Sequence, residues 1–274
     1  MNLRIALNGL GALAAIAFVC GCSSAGQQLD RRAEVAGLER IRAESGQFPS
    51  LIYMQRPTAE TTQGAPLLVF IEGDGIPWRN GREPSADPTT RQPLAFELLL
   101  HSPAPAAYVT RPCYHRLHSD KCTVEQWTGA RYSEDIVASM VDTVRAAQRH
   151  SGAKQVSLIG YSGGGVLAVL IAERLEHVAS VVTVAANLDT DAWTEHHKYL
   201  PLSQSLNPSR SKHEHPWPEW HLQGANDVTV PSATTIAYFA RYPQAQRQVI
   251  EGYDHKCCWS QDWAQLGRNV LPKR

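Results

Sequence analysis

The sequence predicts an α/β protein, with a mainly parallel central sheet and helices on both faces. Short apolar strands alternate with segments of helical period along the chain. One of those strands, residues 67–71, is apolar at every position, as a strand covered on both faces is. Composition agrees: hydrophobic residues make up 43% of the 274 and charged residues 19%. That is enough apolar material for a sizeable core and excludes a wholly disordered chain. Lys+Arg 26 and Asp+Glu 26 balance, so no global positive field argues for nucleic acid as a partner.

The elements follow in order. Residues 38–42 and 50–56 read as two strands around a turn at 45–47, and 58–66 as a loop. Leu67-Leu68-Val69-Phe70-Ile71 is a buried strand, followed by a polar loop over 72–93. Residues 94–101 read as a helix and 106–110 as a short strand. Ile136, Val137, Met140, Val141 and Val144 set a helical spacing over 132–150. Residues 155–159 are a strand, 164–175 a helix and 179–185 a valine-rich strand. Residues 220–223 and 246–251 are strands, and 231–241 and 259–270 are helices. Residues 188–219 break the alternation; rich in Pro, Ser and His, they read as an insertion or lid.

The N-terminus reads as a targeting segment. Met1 to Arg4 is short and basic, and Ile5 to Val19 is apolar with interruptions at Asn8, Gly9 and Gly11. Small residues and Cys22 follow, which is the three-part plan of a secretory signal. Val19-Cys20-Gly21-Cys22 resembles the bacterial lipobox, which implies a signal over 1–21, lipidation of Cys22 and a membrane lipid anchor. An ordinary cleaved signal or an uncleaved anchor are the alternatives. Ser23 follows the cysteine where Asp would mark inner-membrane retention, so the resemblance implies the outer membrane of a Gram-negative envelope. Residues 22–37 then read as a polar tether and 38–274 as the folded domain.

Gly160-Tyr161-Ser162-Gly163-Gly164 fits G-x-S-x-G, the strand-to-helix turn that exposes a nucleophilic serine. The pattern arises by chance about 0.1 times in such a chain, so its context carries the weight: a buried strand directly before and a small-residue helix directly after. A serine nucleophile needs a base, and the base an orienting acid. Asp227, in Gly224-Ala225-Asn226-Asp227-Val228-Thr229-Val230-Pro231, and His255, in Gly252-Tyr253-Asp254-His255, each follow a strand. Both therefore belong at the carboxyl edge of the sheet, where open α/β sheets place their sites. Asp189 and Asp191 compete for the acid's role. Of the 11 histidines, His196, His197, His213 and His215 fall in the irregular segment, and His177 and His221 lie in a link and a strand.

Over 38–274 this arrangement resembles the α/β-hydrolase superfamily. The resemblance implies a serine hydrolase with catalytic Ser162, Asp227 and His255, acting on a small-molecule or lipid ester and needing no metal or organic cofactor. It also implies an oxyanion hole from the N–H groups of Gly163 and of Asp74, in Glu72-Gly73-Asp74-Gly75. Relatives often carry His-Gly in that loop; Glu72 replaces the His. An Asp74 carboxylate beside an oxyanion is unfavourable unless it points away or is neutralised; as a simple turn residue it would stabilise its own loop. An amidase, peptidase or thioesterase would use the same machinery. A catalytically silent binding module on this fold is the alternative of a different class.

Cys113, Cys122, Cys257 and Cys258 remain for disulfides in an oxidising compartment. Cys113–Cys122 closes a short loop. Adjacent Cys257 and Cys258 make a strained pair, so one of them is the candidate for reaching the other loop. Cys113-Tyr114-His115-Arg116-Leu117-His118 with Cys122 also imitates a zinc site. Arg79, Arg82, Arg91, Arg111, Arg116 and Lys121 lie in loops at the same edge and read as a solvated surface or an anion-attracting patch.

Overall fold

A computed structural model describes residues 23–43, 47–56, 64–117 and 119–273. The signal segment 1–21, Cys22, His118, most of the 45–47 turn and most of the 58–66 loop lie outside the described residues.

The described residues open with helix α1 (Ala25–Val35), inside the segment read as a tether. Ser24 explains its start: its Oγ accepts from Gln27 N–H while the Gln27 side chain accepts from Ser24 N–H. Leu29 and Ala33 are buried against the domain, Arg32 pairs with Glu97, and Asp30 accepts from Tyr53 and Arg40 at 2.7 Å each.

β1 (Glu39–Ala43) and β2 (Ser50–Met54) form the expected antiparallel pair. β3 (Leu67–Ile71) is buried throughout. The loop after it carries a small ribbon of β4 (Trp78–Arg79) and β5 (Glu83–Pro84). Then come α2 (Leu94–Leu100), β6 (Ala106–Val109), α3 (Glu134–Ser151), β7 (Val156–Tyr161), α4 (Gly163–Ala172) and β8 (Val178–Val184). α5 (Thr190–His197), β9 (Glu219–Gly224), α6 (Ile236–Arg241), β10 (Gln246–Ile250) and α7 (Trp259–Val270) complete the chain. α3 shows why these boundaries hold. Ser133 caps its start, Glu134 and Asp135 fill the first turn, and Gly152 at φ 72° ends it.

The sheet has eight strands in the order β1-β2-β6-β3-β7-β8-β9-β10. It is parallel from β6 to β10. Alternate residues of one strand supply opposite faces. Leu67, Val69 and Ile71 join the core under α3 and α4, whereas Leu68 and Phe70 join the core under α1, α2 and α7. The parallel strands share one carboxyl edge, and Ser162, Asp227, His255 and Asp74 all follow strands that end there.

Candidate active site

Ser162 sits between β7 and α4 with φ 52° and ψ −126°, a conformation side-chain-bearing residues rarely adopt. Close packing around the turn explains its glycines. A β-carbon on Gly160 would stand 2.2 Å from the Gly164 carbonyl oxygen, and one on Gly163 would stand 2.1 Å from Asp74 Oδ1. Ser162 N–H donates to Val184 O at 2.8 Å, which ties the turn to the end of β8.

The structure brings Ser162, His255 and Asp227 into one hydrogen-bonded row. His255 Nε2 lies 3.1 Å from Ser162 Oγ, and His255 Nδ1 lies 2.9 Å from Asp227 Oδ2. The other Asp227 oxygen accepts from the N–H groups of Thr229 and Val230, each at 2.8 Å. With its side chain 1% exposed, Asp227 has no freedom to turn from the imidazole. Tyr161 steadies His255 from below: its hydroxyl donates to His255 O at 3.0 Å.

The competing acids are engaged elsewhere. Asp189 caps α5, accepting from Asp191 N–H and Ala192 N–H. Asp191 pairs with Arg210 at 2.7 Å. Among the histidines, His196 and His197 lie on α5, and His215 and His221 are held by Glu219 at the start of β9.

The loop after β3 lies against the serine. A methyl group on Gly73 would stand 3.2 Å from Ser162 Cβ. Among the described residues, neither the Gly163 N–H nor the Asp74 N–H meets an acceptor. Glu72 anchors the loop from behind. Its buried carboxyl accepts from Gly73 N–H at 3.2 Å and from Ala95 N–H at 3.0 Å. Burial pushes its pKa up to about 7, opposed by the N–H groups of Gly73 and of the first residues of α2.

The Asp74 carboxylate is neutralised. Arg111 Nη1 lies 2.5 Å from Oδ1, Arg131 Nη1 2.8 Å from Oδ2, and the Tyr132 hydroxyl donates at 2.7 Å. Burial opposes ionisation here, but the charges of Arg131 and Arg111 prevail and hold the carboxyl well below the usual carboxylate range. Tyr114 hydroxyl donates to Asp74 O at 3.0 Å, so backbone and side chain are both held. Arg111, read from sequence with the surface cations, is therefore corrected: its side chain is 1% exposed and belongs to this buried cluster.

No protein-family model and no curated protein matches the sequence. Solved structures do. A Pyrococcus furiosus esterase superposes with a TM-score of 0.61 at 11% identity, over 87% of this chain and 94% of that one. An α/β serine hydrolase without lid from Xanthomonas campestris gives 0.51 at 11% identity, over 86% and 97%. A puromycin-hydrolyzing peptidase from Mycobacterium tuberculosis gives 0.59 at 13% identity, over 86% of this chain and 40% of that one. This is the α/β-hydrolase fold.

Within that α/β-hydrolase fold, residues 188–219 carry α5 and a 3₁₀ turn at Pro208–Arg210. The first part, through α5, lies along the carboxyl edge, and the rest returns to the start of β9. Trp193 Nε1 and His197 Nε2 both lie 2.8 Å from Thr229 O, and Leu206 N–H donates to Tyr132 O at 2.9 Å. Cys113 and Cys122 form a disulfide, which consumes the two thiols of the zinc reading. Cys257 and Cys258 pair with each other, so the expected reach of one of them to the other loop is corrected. Their loop is short, and Asp254 Oδ1 accepts from the N–H groups of Lys256 and Cys257 at 2.7 Å each. Sequence reading missed Arg131, Tyr132 and Tyr114. They reach Asp74 across 57, 58 and 40 residues of chain, and no local pattern marks that.

Proposed function

We propose that the protein is a serine hydrolase acting on carboxylic esters through an acyl-enzyme, held in the cell envelope by a lipid on Cys22. The observation that carries the catalytic half is the Ser162–His255–Asp227 row, with Ser162 held at positive φ on the turn into α4.

Ser162 Oγ attacks the acyl carbon while its proton passes to His255 Nε2. Asp227, fixed by Thr229 and Val230 N–H, keeps the other ring nitrogen protonated and stabilises the imidazolium. The carbonyl oxygen becomes an oxyanion facing the Gly163 and Asp74 N–H groups. The tetrahedral species expels the alcohol, which takes the proton from Nε2. Water then attacks the acyl-serine, His255 removes its proton, and the carboxylic acid leaves with Ser162 restored.

The neutralised Asp74 supports this reading, because a free carboxylate at that position would repel the oxyanion. The likeness to an esterase and to a peptidase sets the comparison: a panel of p-nitrophenyl esters against the corresponding anilides. The reading expects ester turnover that Ser162→Ala lowers by about 10⁶, with circular dichroism unchanged. Anilide turnover exceeding that of every ester would move the assignment to amide hydrolysis, and no turnover of either class would leave a binding module on this fold.

A further inference from the structure

Helix α1 determines where the chain would meet a membrane. Its start lies at the carboxyl edge of the sheet. Arg91 Nη1 donates to Ser23 O at 3.4 Å, and a β-carbon on Gly26 would stand 3.5 Å from the His115 backbone. Arg91 and His115 belong to the loops leaving β3 and β6, and those loops leave the sheet on the Ser162 side. Because α1 is capped by Ser24 and buried at Leu29 and Ala33, this attachment is fixed. The residue following Cys22 is thus pinned to the edge that holds the active site.

The same edge carries apolar side chains that a water-facing surface does not need. Ile76 follows β3, Val124 follows β6, Tyr199 and Leu200 follow α5, and Val228 follows Asp227; all five are exposed, Leu200 at 77% and Val228 at 80%. They sit on four separate loops around Ser162, and Tyr199 is kept there by stacking on His197, which bonds the Thr229 carbonyl. The exposed charges near them in sequence are mixed, Lys121 and Lys198 with Asp120, Glu125 and Glu195. Exposed apolar side chains gathered at one face are a feature of a surface that enters a lipid interface.

We propose that the carboxyl edge is a bilayer-facing surface, on which the Cys22 lipid and the side chains of Ile76, Val124, Tyr199, Leu200 and Val228 seat the Ser162 site against ester-bearing lipids in the membrane. The substrate part rests on the ester-hydrolase reading, and the orientation on the Cys22 lipid of the same proposal.

The test uses protein isolated from membranes with its N-terminus processed as in the cell, carrying an environment-sensitive fluorophore at Val124→Cys or Leu200→Cys. Controls carry it at Val35→Cys, at the far end of α1, or Val249→Cys, on β10. In phosphatidylethanolamine–phosphatidylglycerol vesicles, the probes at 124 and 200 shift to the blue and are quenched by nitroxide lipids, while those at 35 and 249 stay as in water. A second arm compares a long-chain ester embedded in the vesicles with a soluble short-chain ester. The double variant Val124→Ser/Leu200→Ser loses about tenfold on the embedded ester and nothing on the soluble one. Water-like emission at 124 and 200 in bound protein, or no association with the vesicles, overturns the proposal. So does an equal blue shift without vesicles, which would assign this face to a second copy of the chain. If the fluorescence pattern holds while neither ester is hydrolysed, the orientation stands and the esterase reading alone fails.

Discussion

Arg131 Nη1 lies 2.8 Å from Asp74 Oδ2, and this ion pair holds the loop that packs against Ser162. Arg131 is itself fixed, since its Nε donates to Thr128 O at 2.7 Å. With Arg111 on the other carboxylate oxygen, two buried cations offset one anion. The cluster offsets the Asp74 charge and holds its loop against Ser162 and, on the proposed function, keeps negative charge away from the oxyanion.

Replacing Arg131 by Lys keeps the charge and loses the fork. The expected result is a fall in kcat of about tenfold or more with KM little changed, because a misdirected oxyanion donor acts in the transition state alone. Asp74→Asn leaves two buried guanidinium groups uncompensated and should destabilise the protein by about 3 kcal/mol. Steady-state kinetics and urea unfolding check both.

Asp227→Asn should cut turnover by about 10⁴, since it removes the charge beside His255 Nδ1. Asp189→Asn should leave turnover near wild type. Asp189→Ala, which loses the α5 cap, should cost about 1 kcal/mol of stability. A crippled Asp189→Asn with an active Asp227→Asn would transfer the acid's role to the earlier loop.

At the opposite edge, His215 is buried between Glu173, 3.1 Å from Nε2, and Glu219, 2.6 Å from Nδ1, and stacks on Tyr242. Burial alone would lower its pKa, but Glu173 and Glu219 raise it to about 9. A raised pKa in the folded state means the protonated ring stabilises the fold. That contribution is complete below the unfolded value of about 6.5. It declines as pH rises and is gone above about 9. Glu219 is shifted the other way: burial is outweighed by His215 and His221, and its contribution is lost on acidification. Melting temperature should therefore fall between pH 6.5 and 9 in wild type and fall less in His215→Gln.

The Cys113–Cys122 disulfide closes a loop of sequence separation 9, beginning two residues after Arg111 and enclosing Tyr114. Cys113→Ala/Cys122→Ala should lower stability by about 2–3 kcal/mol and reduce kcat through the loosened hold on Asp74. Calorimetry and kinetics on the one variant read both effects.

The parts legible in the sequence were those fixed by local pattern. Leu67–Ile71 reads as a buried strand because it is apolar at every position and lies in the sheet interior; 155–159 reads as a strand from Val156, Leu158 and Ile159, and β7 occupies the next place in the sheet. The glycines around Ser162 read as a tight turn because backbone approach leaves no room for β-carbons. α1 escaped because Leu29 and Ala33 are its buried apolar side chains in a run of Gln, Arg and Asp, and its stability comes from contacts distant in sequence. The Asp74 cluster escaped for the same reason. A surface loop rich in arginine and a loop that buries one arginine look alike until the partner carboxylate is placed in space.

Peptide mapping of a fluorophosphonate adduct on the full-length protein tests the central claim, an activated Ser162, most directly. One adduct on Ser162 is expected, absent in Ser162→Ala and strongly reduced in His255→Ala. A folded wild-type protein that resists labelling, or an adduct on any other residue, would contradict it.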